Sequence, residues 1–143
     1  MLRTITAPLL ILALLLPMVA CNSSGSGTAK IRGTLIESPP PIDITGLEKS
    51  RVEKAIVGSL PKRGWEYLGK QGQTIDASIF VRGKHTAVIS IDYGSDEILI
   101  DYVDSTNLDY QQVGDLEYIH KNYNTWVGLL RQDIAVSVSS LRY

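Results

Sequence analysis

The only cysteine of the chain, Cys21, is the residue whose type and position most clearly predict chemistry. Arg3 and an apolar run over residues 9–16 precede it, and small residues stand directly before it. The apolar run is too short to span a bilayer of about 30 Å. A short basic segment, a short apolar segment and small residues before a cleavage point are typical of a secretory signal peptide. We therefore predict a signal peptide over residues 1–20.

The residues around Cys21 add a covalent modification to this prediction. Val19-Ala20-Cys21 resembles the lipobox of bacterial lipoproteins, although Met18 stands where leucine is usual. The resemblance implies that the Cys21 sulfur receives a diacylglyceryl group, that the chain is cut before it and that the new amine is acylated. Residues 21–29 would then be the lipidated cysteine and a flexible polar tether that holds the protein to a membrane. Because Asn22 is not aspartate, the resemblance favours the outer membrane, with the domain facing the periplasm.

A second group of residues that could do chemistry is polar and falls in two segments. One segment follows the last predicted strand and the other opens the last predicted helix, so we expect them to meet at one end of the domain. Their candidate ligand-binding residues are Ser105, Asn107, Tyr110, His120, Asn122 and Asn124. They could line a small pocket for an anion or a peptide carboxylate at a helix N-terminus. They could also cap the helix and satisfy backbone groups of the connecting loop, and the sequence leaves both interpretations open.

The sequence contains no recognisable catalytic or metal-binding pattern. His85 and His120 are its only histidines, and no familiar metal-ligand spacing surrounds them. Asp92 and Asp101 are predicted on the outward face of neighbouring strands, where two acids could act as general acid and base. Solvation of an exposed sheet face explains them more simply. We therefore predict no enzyme activity, no catalytic or metal-ligating residue and no cofactor.

Length and charge narrow the classes of protein further. Residues 30–143 have the size of one common domain. The chain has 14 Lys and Arg against 15 Asp and Glu, a net charge of -1 at pH 7. A protein that neutralises phosphates along a nucleic acid needs a basic excess. We therefore expect a single domain that binds no nucleic acid.

Hydrophobic periodicity predicts the elements that would position these residues. Thr45 and Glu48 fit a capping box for a first helix that ends near Leu60. From residue 65 the period changes from 3.6 to 2, which predicts four antiparallel strands, over 65–70, 75–82, 85–93 and 97–104. Trp65 and Tyr67 should face inward. The apolar sets of the two middle strands share a face only if residues 82–84 form a three-residue or bulged turn.

The end of the chain predicts a second helix and completes the fold. It should begin near Tyr118, with Asp115 and Glu117 at its positive end. Apolar residues then recur at steps of three and four, at Ile119, Tyr123, Trp126, Val127, Leu130 and Ile134. We predict an α+β two-layer sandwich in the order α-β-β-β-β-α, with a four-stranded antiparallel meander and both helices on one face.

The sheet face opposite the helices is a candidate protein interface. It is too apolar for a purely solvated surface, since it should carry Phe80, Val88, Leu99 and Val103. An envelope protein or a second copy of the chain would cover these side chains. Residues 30–41, named the strap here, contain three successive prolines and could instead fold over part of this face. The sequence favours neither alternative.

A wider resemblance supports the same setting. Ile119-His120-Lys121-Asn122-Tyr123-Asn124-Thr125-Trp126-Val127, with Arg63-Gly64-Trp65 and Ser105-Thr106-Asn107-Leu108 upstream, resembles a group of small uncharacterised proteobacterial envelope lipoproteins. The resemblance covers roughly residues 48–134 plus the lipobox, and it implies no activity. We expect a non-catalytic interaction or structural component of the envelope. A small-ligand or cell-wall-fragment binder is the first alternative and an envelope enzyme the second.

Overall fold

The computed structural model describes residues 30–143. The predicted signal peptide, Cys21 and the tether lie outside the described residues. Two α-helices and eight strands form within the described range. The helices are α1, Lys49–Ser59, and α2, Asn122–Ser139, and each is followed by a short 3₁₀ turn, Leu60–Arg63 and Ser140–Arg142. The strands are β1 Thr34–Leu35, β2 Ile42–Asp43, β3 Trp65–Gln71, β4 Thr74–Val81, β5 His85–Asp92, β6 Glu97–Thr106, β7 Gln111–Val113 and β8 Leu116–Ile119. Neither of these helices is long and apolar enough to cross a membrane.

The four predicted strands form the antiparallel meander β3 to β6, and the short strand β2 adds to its far edge. The order in this five-stranded sheet is β2-β6-β5-β4-β3. Val81 pairs with His85, so residues 82–84 form the three-residue turn that the alternation requires. Arg82 and Gly83 both have positive φ there. The register of the two middle strands is therefore confirmed.

Both helices pack on one face of the five-stranded sheet, which confirms the α+β sandwich. The inward residues of the strands are buried almost completely, namely Trp65, Ile75, Ala77, Ile79, Ala87, Ile89, Ile91, Ile98 and Ile100. They form one cluster with Val52 and Ile56 of α1 and with the α2 stripe, Tyr123, Val127, Leu130, Ile134 and Val138. Tyr67 pairs with the inward Ala77 and so lies on the predicted face, but 48% of it is exposed. It lies on the edge strand β3 beside a break in register between Tyr67 and Gly69.

The predicted capping box at the first helix is wrong. The Thr45 hydroxyl donates to the Asp43 carboxylate over 2.6 Å instead of binding a free helix amide. The Thr45 amide donates to the same carboxylate over 2.9 Å. Asp43 thus takes both donors in a local turn, as short acidic side chains do. Helix α1 begins later, with Glu48 at the N-cap position and no side-chain cap.

The predicted start of the last helix is also wrong. Residues 111–119 form a β-hairpin, β7 and β8, closed by a two-residue turn at Gly114 and Asp115, where Gly114 has a φ of 62°. Asp115 and Glu117 are therefore in this hairpin and not at a helix N-terminus. Ile119 lies four residues before Tyr123, so its spacing imitates a further helical turn. Strand β1 pairs with β8 and completes a small second sheet.

The strap lies along α2 and does not cover the outer face of the five-stranded sheet. The side-chain amide of Asn124 donates to the Leu35 carbonyl over 2.8 Å, and its side-chain oxygen accepts from the Glu37 amide. Arg131 donates to the Pro40 carbonyl over 2.8 Å. Proline carbonyls remain free to accept such bonds because no ladder uses them. Of the two alternatives for the outer face, the structure excludes coverage by the strap.

Candidate functional site

The outer face of the five-stranded sheet is exposed and carries large apolar side chains. Phe80 is 63% exposed, Val103 51% and Leu99 39%, while Val88 is partly buried. The strand neighbours of Phe80, Val88 and Leu99 are inward residues, which fixes these three as outward. Val103 lies beside Asp104, whose pairing with Val88 places it on the same outward face. The four candidate interface residues therefore share one face, as the sequence predicts.

A β-bulge increases the exposure of Val103. Val88 pairs with Asp104 and Ile89 pairs with Tyr102, so Val103 stands opposite no residue of β5. A bulge adds one residue to a strand and re-aims its side chains. Val103 is therefore the extra residue of the bulge, and its side chain is exposed beside that of Asp104.

The same face is acidic. Its outward positions carry six carboxylates and no lysine or arginine, within β3 to β6: Glu66, Asp76, Asp92, Glu97, Asp101 and Asp104. Ser90 pairs with Asp76 on one side and with Asp101 on the other. The Asp92 carboxylate accepts from the Thr74 hydroxyl over 2.9 Å and from the Gly94 amide over 3.1 Å. These acids surround the apolar side chains with negative charge.

The candidate ligand-binding residues of the second group fall into three local sets, the first around Ser105 and Tyr110. The Ser105 hydroxyl and the Tyr102 hydroxyl are hydrogen-bonded at 2.9 Å. Tyr110 stacks on Tyr102 with 5.1 Å between ring centroids and donates its hydroxyl to Glu117 over 2.6 Å. That bond to a carboxylate raises the pKa of Tyr110 to about 12. The set therefore attaches the β7–β8 hairpin to β6.

The second set contains Asn107, which binds the three-residue turn. Its side-chain amide donates to the Lys84 carbonyl over 2.7 Å. The backbone carbonyl of Asn107 lies 2.7 Å from Nδ1 of His85. Asn107 has a φ of 58°, a conformation that asparagine tolerates better than most residues. Asn107 and His85 thus join the end of β6 to the start of β5.

The third set opens α2. Nδ1 of His120 accepts from the Asn122 amide over 3.3 Å, and the His120 amide donates to the Leu108 carbonyl over 2.8 Å. The side chain of Asn124 satisfies the backbone of the strap on both sides of Ile36. The two polar segments therefore meet, as predicted. The prediction that asparagine side chains cap the helix is wrong, because the first amide of α2 donates to the His120 ring and the Asn124 side chain binds the strap.

Burial and aromatic contacts complete this end of the domain. The Tyr123 ring meets Tyr102 edge to face, with 5.5 Å between centroids. Burial raises the pKa of Tyr123, so its hydroxyl stays protonated at neutral pH. Most polar groups of the cluster are thus already paired within the chain. Within residues 30–143, no group of three or more His, Cys, Asp or Glu is placed to hold a metal ion.

A groove between the helices was not predicted from the sequence. It has a volume of about 500 Å³ and lies between Arg51, Lys54, Ala55 and Gly58 of α1 and Ser137, Ser140 and Leu141 at the end of the chain. The α1 residues recur at spacings of three and four, which places them on one side of the helix. That spacing was a usable signal. Nothing in the sequence indicated that residues 137–141 would lie opposite.

The comparisons with known proteins find no family model that matches the chain, no similar curated protein and no similar solved structure. A functional assignment must therefore come from the chemistry of the chain's own surfaces. Two of these are unlike ordinary solvated surface: the acidic, apolar sheet face and the interhelical groove.

Proposed function

We propose that this chain is a membrane-anchored periplasmic lipoprotein, and that its domain is a non-catalytic interaction component of the bacterial envelope. It binds a partner protein through the outer face of its five-stranded sheet. The observation that carries this proposal is the exposure of Phe80, Val103 and Leu99 together on that face. Water-exposed apolar side chains that cluster on one face are typical of a surface that another protein covers.

The course of the strap supports an external partner. An uncovered sheet face can be protected by a segment of its own chain, and the strap was the segment available for this. Its hydrogen bonds go to Asn124 and Arg131 of α2, on the helix side. The apolar side chains of the outer face are left for another molecule.

The acids of the outer face define the chemistry of the partner. Asp76, Asp101 and Asp104 flank the apolar side chains, so a partner with both apolar and basic side chains would match the face in charge. A symmetric homodimer would place these acids opposite their own copies. Like charges in apposition oppose association. The charge pattern therefore favours a basic partner over a second copy.

The membrane anchor remains part of the proposal through Cys21. Lipidation there would hold the domain at the outer membrane and facing the periplasm. Confinement to a surface raises the effective concentration of a partner held in the same membrane or close to it. A modest interface on the sheet would then suffice for a stable contact.

Site-specific photo-crosslinking in the native host tests the interface. A photoreactive phenylalanine analogue placed at Phe80 should give a discrete adduct with one envelope protein. The same analogue at Val136, which is 65% exposed on α2, should give none and is the matched control. Adducts of equal yield from both positions would contradict the proposal, and an adduct of twice the chain mass would replace the partner by a second copy.

Two substitutions separate the interface from the anchor. Leu99→Glu should abolish the adduct from position 80 while the protein stays in the membrane fraction, because it adds charge to an already acidic apolar surface. Cys21→Ser should release the protein from the membrane fraction. An adduct that survives Leu99→Glu would argue against the sheet face, and membrane retention of Cys21→Ser would argue against the lipid anchor.

A further inference from the structure

The groove between α1 and the end of the chain has the size of a small-ligand site. Its volume of about 500 Å³ falls in the range of small-molecule sites, roughly 300–1,000 Å³. Ala55 and Leu141 give it apolar walls, and Ser137 and Ser140 bring hydroxyl groups. It lies in the helix layer, away from the outer sheet face, and ligand binding there does not depend on the function proposed above.

The groove is positively charged, in contrast to the chain as a whole. Arg51 and Lys54 line it, and they lie three residues apart on one side of α1, about 5–6 Å between Cβ atoms. The Lys62 ammonium reaches its edge, where it donates to the Ser137 hydroxyl over 3.2 Å. Among residues 30–143, none of these three cations forms an ion pair, and no acid lines the groove.

The helix dipole does not account for these three charges. The C-terminal ends of α1 and α2 both lie at the groove, and each carries the equivalent of about half a negative charge. Three cations exceed the sum of these two partial charges. Glu53, the acid of α1 nearest in sequence, accepts instead from Lys70 and Tyr93, each over 2.8 Å. Asp133, the acid of α2 near Lys62, is paired with Arg63 over 2.7 Å. The groove therefore keeps a net positive charge.

A chain of hydroxyl groups fixes the position of the third cation. Ser59 is fully buried and donates its single hydroxyl hydrogen to the Ala55 carbonyl over 2.8 Å. The Ser137 hydroxyl, 3.0 Å away, must then donate to Ser59, which leaves its oxygen to accept from Lys62. Lys62 is thereby held with further N–H groups available to a ligand.

Gly58 leaves room in the groove where other residues would fill it. A Cβ atom built on Gly58 meets no heavy atom within 4 Å. Glycine in the interior of a helix is unfavourable by about 1 kcal/mol relative to alanine. At Gly58 it opens the helix backbone toward the space that Arg51 and Lys54 border.

We infer that this groove binds the phosphate group of a phosphate ester, with Arg51, Lys54 and Lys62 as its cationic ligands. A guanidinium binds phosphate through paired N–H groups, and lysine ammonium groups add point charge. The volume exceeds that of phosphate alone, so the organic part of the ester lies against Ala55 and Leu141. A phospholipid headgroup and a soluble phosphate ester share this chemistry.

Calorimetric titration of the purified full chain in nonionic detergent tests the inference. The probes are glycerol 3-phosphate and dihexanoylphosphatidylglycerol, whose partition into detergent is the same for every variant. Saturable binding of either probe is expected. Binding of the first alone assigns a soluble ester, and binding of the second alone assigns a lipid headgroup. Binding of neither overturns the inference.

Two pairs of variants locate the site. Arg51→Gln combined with Lys54→Gln should weaken binding about tenfold or more, as expected for lost charge-assisted hydrogen bonds. Lys84→Gln combined with Lys121→Gln removes the same charge from exposed positions elsewhere and should leave binding unchanged. Gly58→Leu should block the groove, whereas Gly128→Leu, also open and helical, should not. Equal loss in both charge pairs, or unchanged binding by Gly58→Leu at an undiminished melting temperature, would overturn the inference.

Discussion

The outer sheet face and the interhelical groove are both exposed and both charged, but with opposite sign. The sheet face sets six acids around apolar side chains, and the groove sets three cations around hydroxyl groups. They lie in different layers of the sandwich. A net charge of -1 thus conceals two separated regions of several charges each. The charge of each surface region predicts its binding partners better than the net charge does, because the electrostatic potential that attracts a partner is local.

The two regions also differ in how the chain builds them. The sheet face comes from one continuous stretch whose register is fixed by backbone ladders. The groove needs two helices about 80 residues apart, and its hydroxyl groups meet only after they pack. The sheet face is therefore a rigid surface for a partner, whereas the shape of the groove depends on the contact between the two helices.

The largest expected effect separates the two faces of strand β5. Ile89 is fully buried and its neighbour Val88 faces outward. Ile89→Ala should lower the free energy of unfolding by about 2–5 kcal/mol through lost burial and a cavity. Val88→Ala should lower it by less than about 1 kcal/mol, as most surface substitutions do. Urea unfolding of both variants measures this, and similar losses would mean that Val88 serves the fold and not a partner.

The second effect tests the hydroxyl chain beneath the groove. Ser59→Ala removes the acceptor of the Ser137 hydroxyl in a fully buried position, and should lower the free energy of unfolding by about 1–2 kcal/mol. Ser139 makes the same type of bond, to the Ala135 carbonyl over 2.8 Å, but is exposed. Ser139→Ala should change stability by less than about 0.5 kcal/mol. Thermal and chemical unfolding compare the pair; equal effects would show that the buried hydroxyl chain is unimportant.

The smallest effect is a pH dependence that arises at Glu53. Hydrogen bonds from Lys70 and then from Tyr93 hold the pKa of its carboxyl below the ordinary value of 4.5. Folding therefore favours the charged form, and this contribution is present above pH 4.5 and is lost as the pH falls below it. Glu53→Gln should make the melting temperature fall less steeply on acidification. Glu66→Gln, an exposed acid of the outer face, is the control, and an unchanged slope in Glu53→Gln would contradict the assignment.

The sequence predicts well what depends on local periodicity. The alternation of Ile75, Ala77 and Ile79 with polar residues requires one register with β5, and the three-residue turn follows from parity. The outward position of Phe80 and Leu99 follows from the same parity. Tyr67 keeps this parity, since it pairs with the inward Ala77, but it stays half-exposed because β3 is an edge strand.

The sequence fails where two local devices compete or where distant segments meet. Thr45 could cap α1 or bind Asp43, and only the fold decides between them. The strands of the β7–β8 hairpin have only three and four residues, so their alternation is too short to oppose the helical spacing that runs back from Tyr123. The sequence predicts that Asn124 is a polar group at the start of the last helix, but it does not predict that its side chain binds the strap. The groove was missed because half of it comes from residues 137–141.

The attachment of the strap to α2 gives the domain a preferred direction of mechanical resistance. Residues 35–41 are bound to α2 at Asn124 and again at Arg131, and the Arg142 guanidinium binds the Asp43 carboxylate further along. Tension applied at residue 30 and directed along α2 loads these contacts in shear, so that they yield together. Tension directed across α2 reaches the β1–β8 pairs and Asn124 first and peels the contacts one after another. A domain of this design would hold its fold under a pull along the helix and release its strap under a pull away from it.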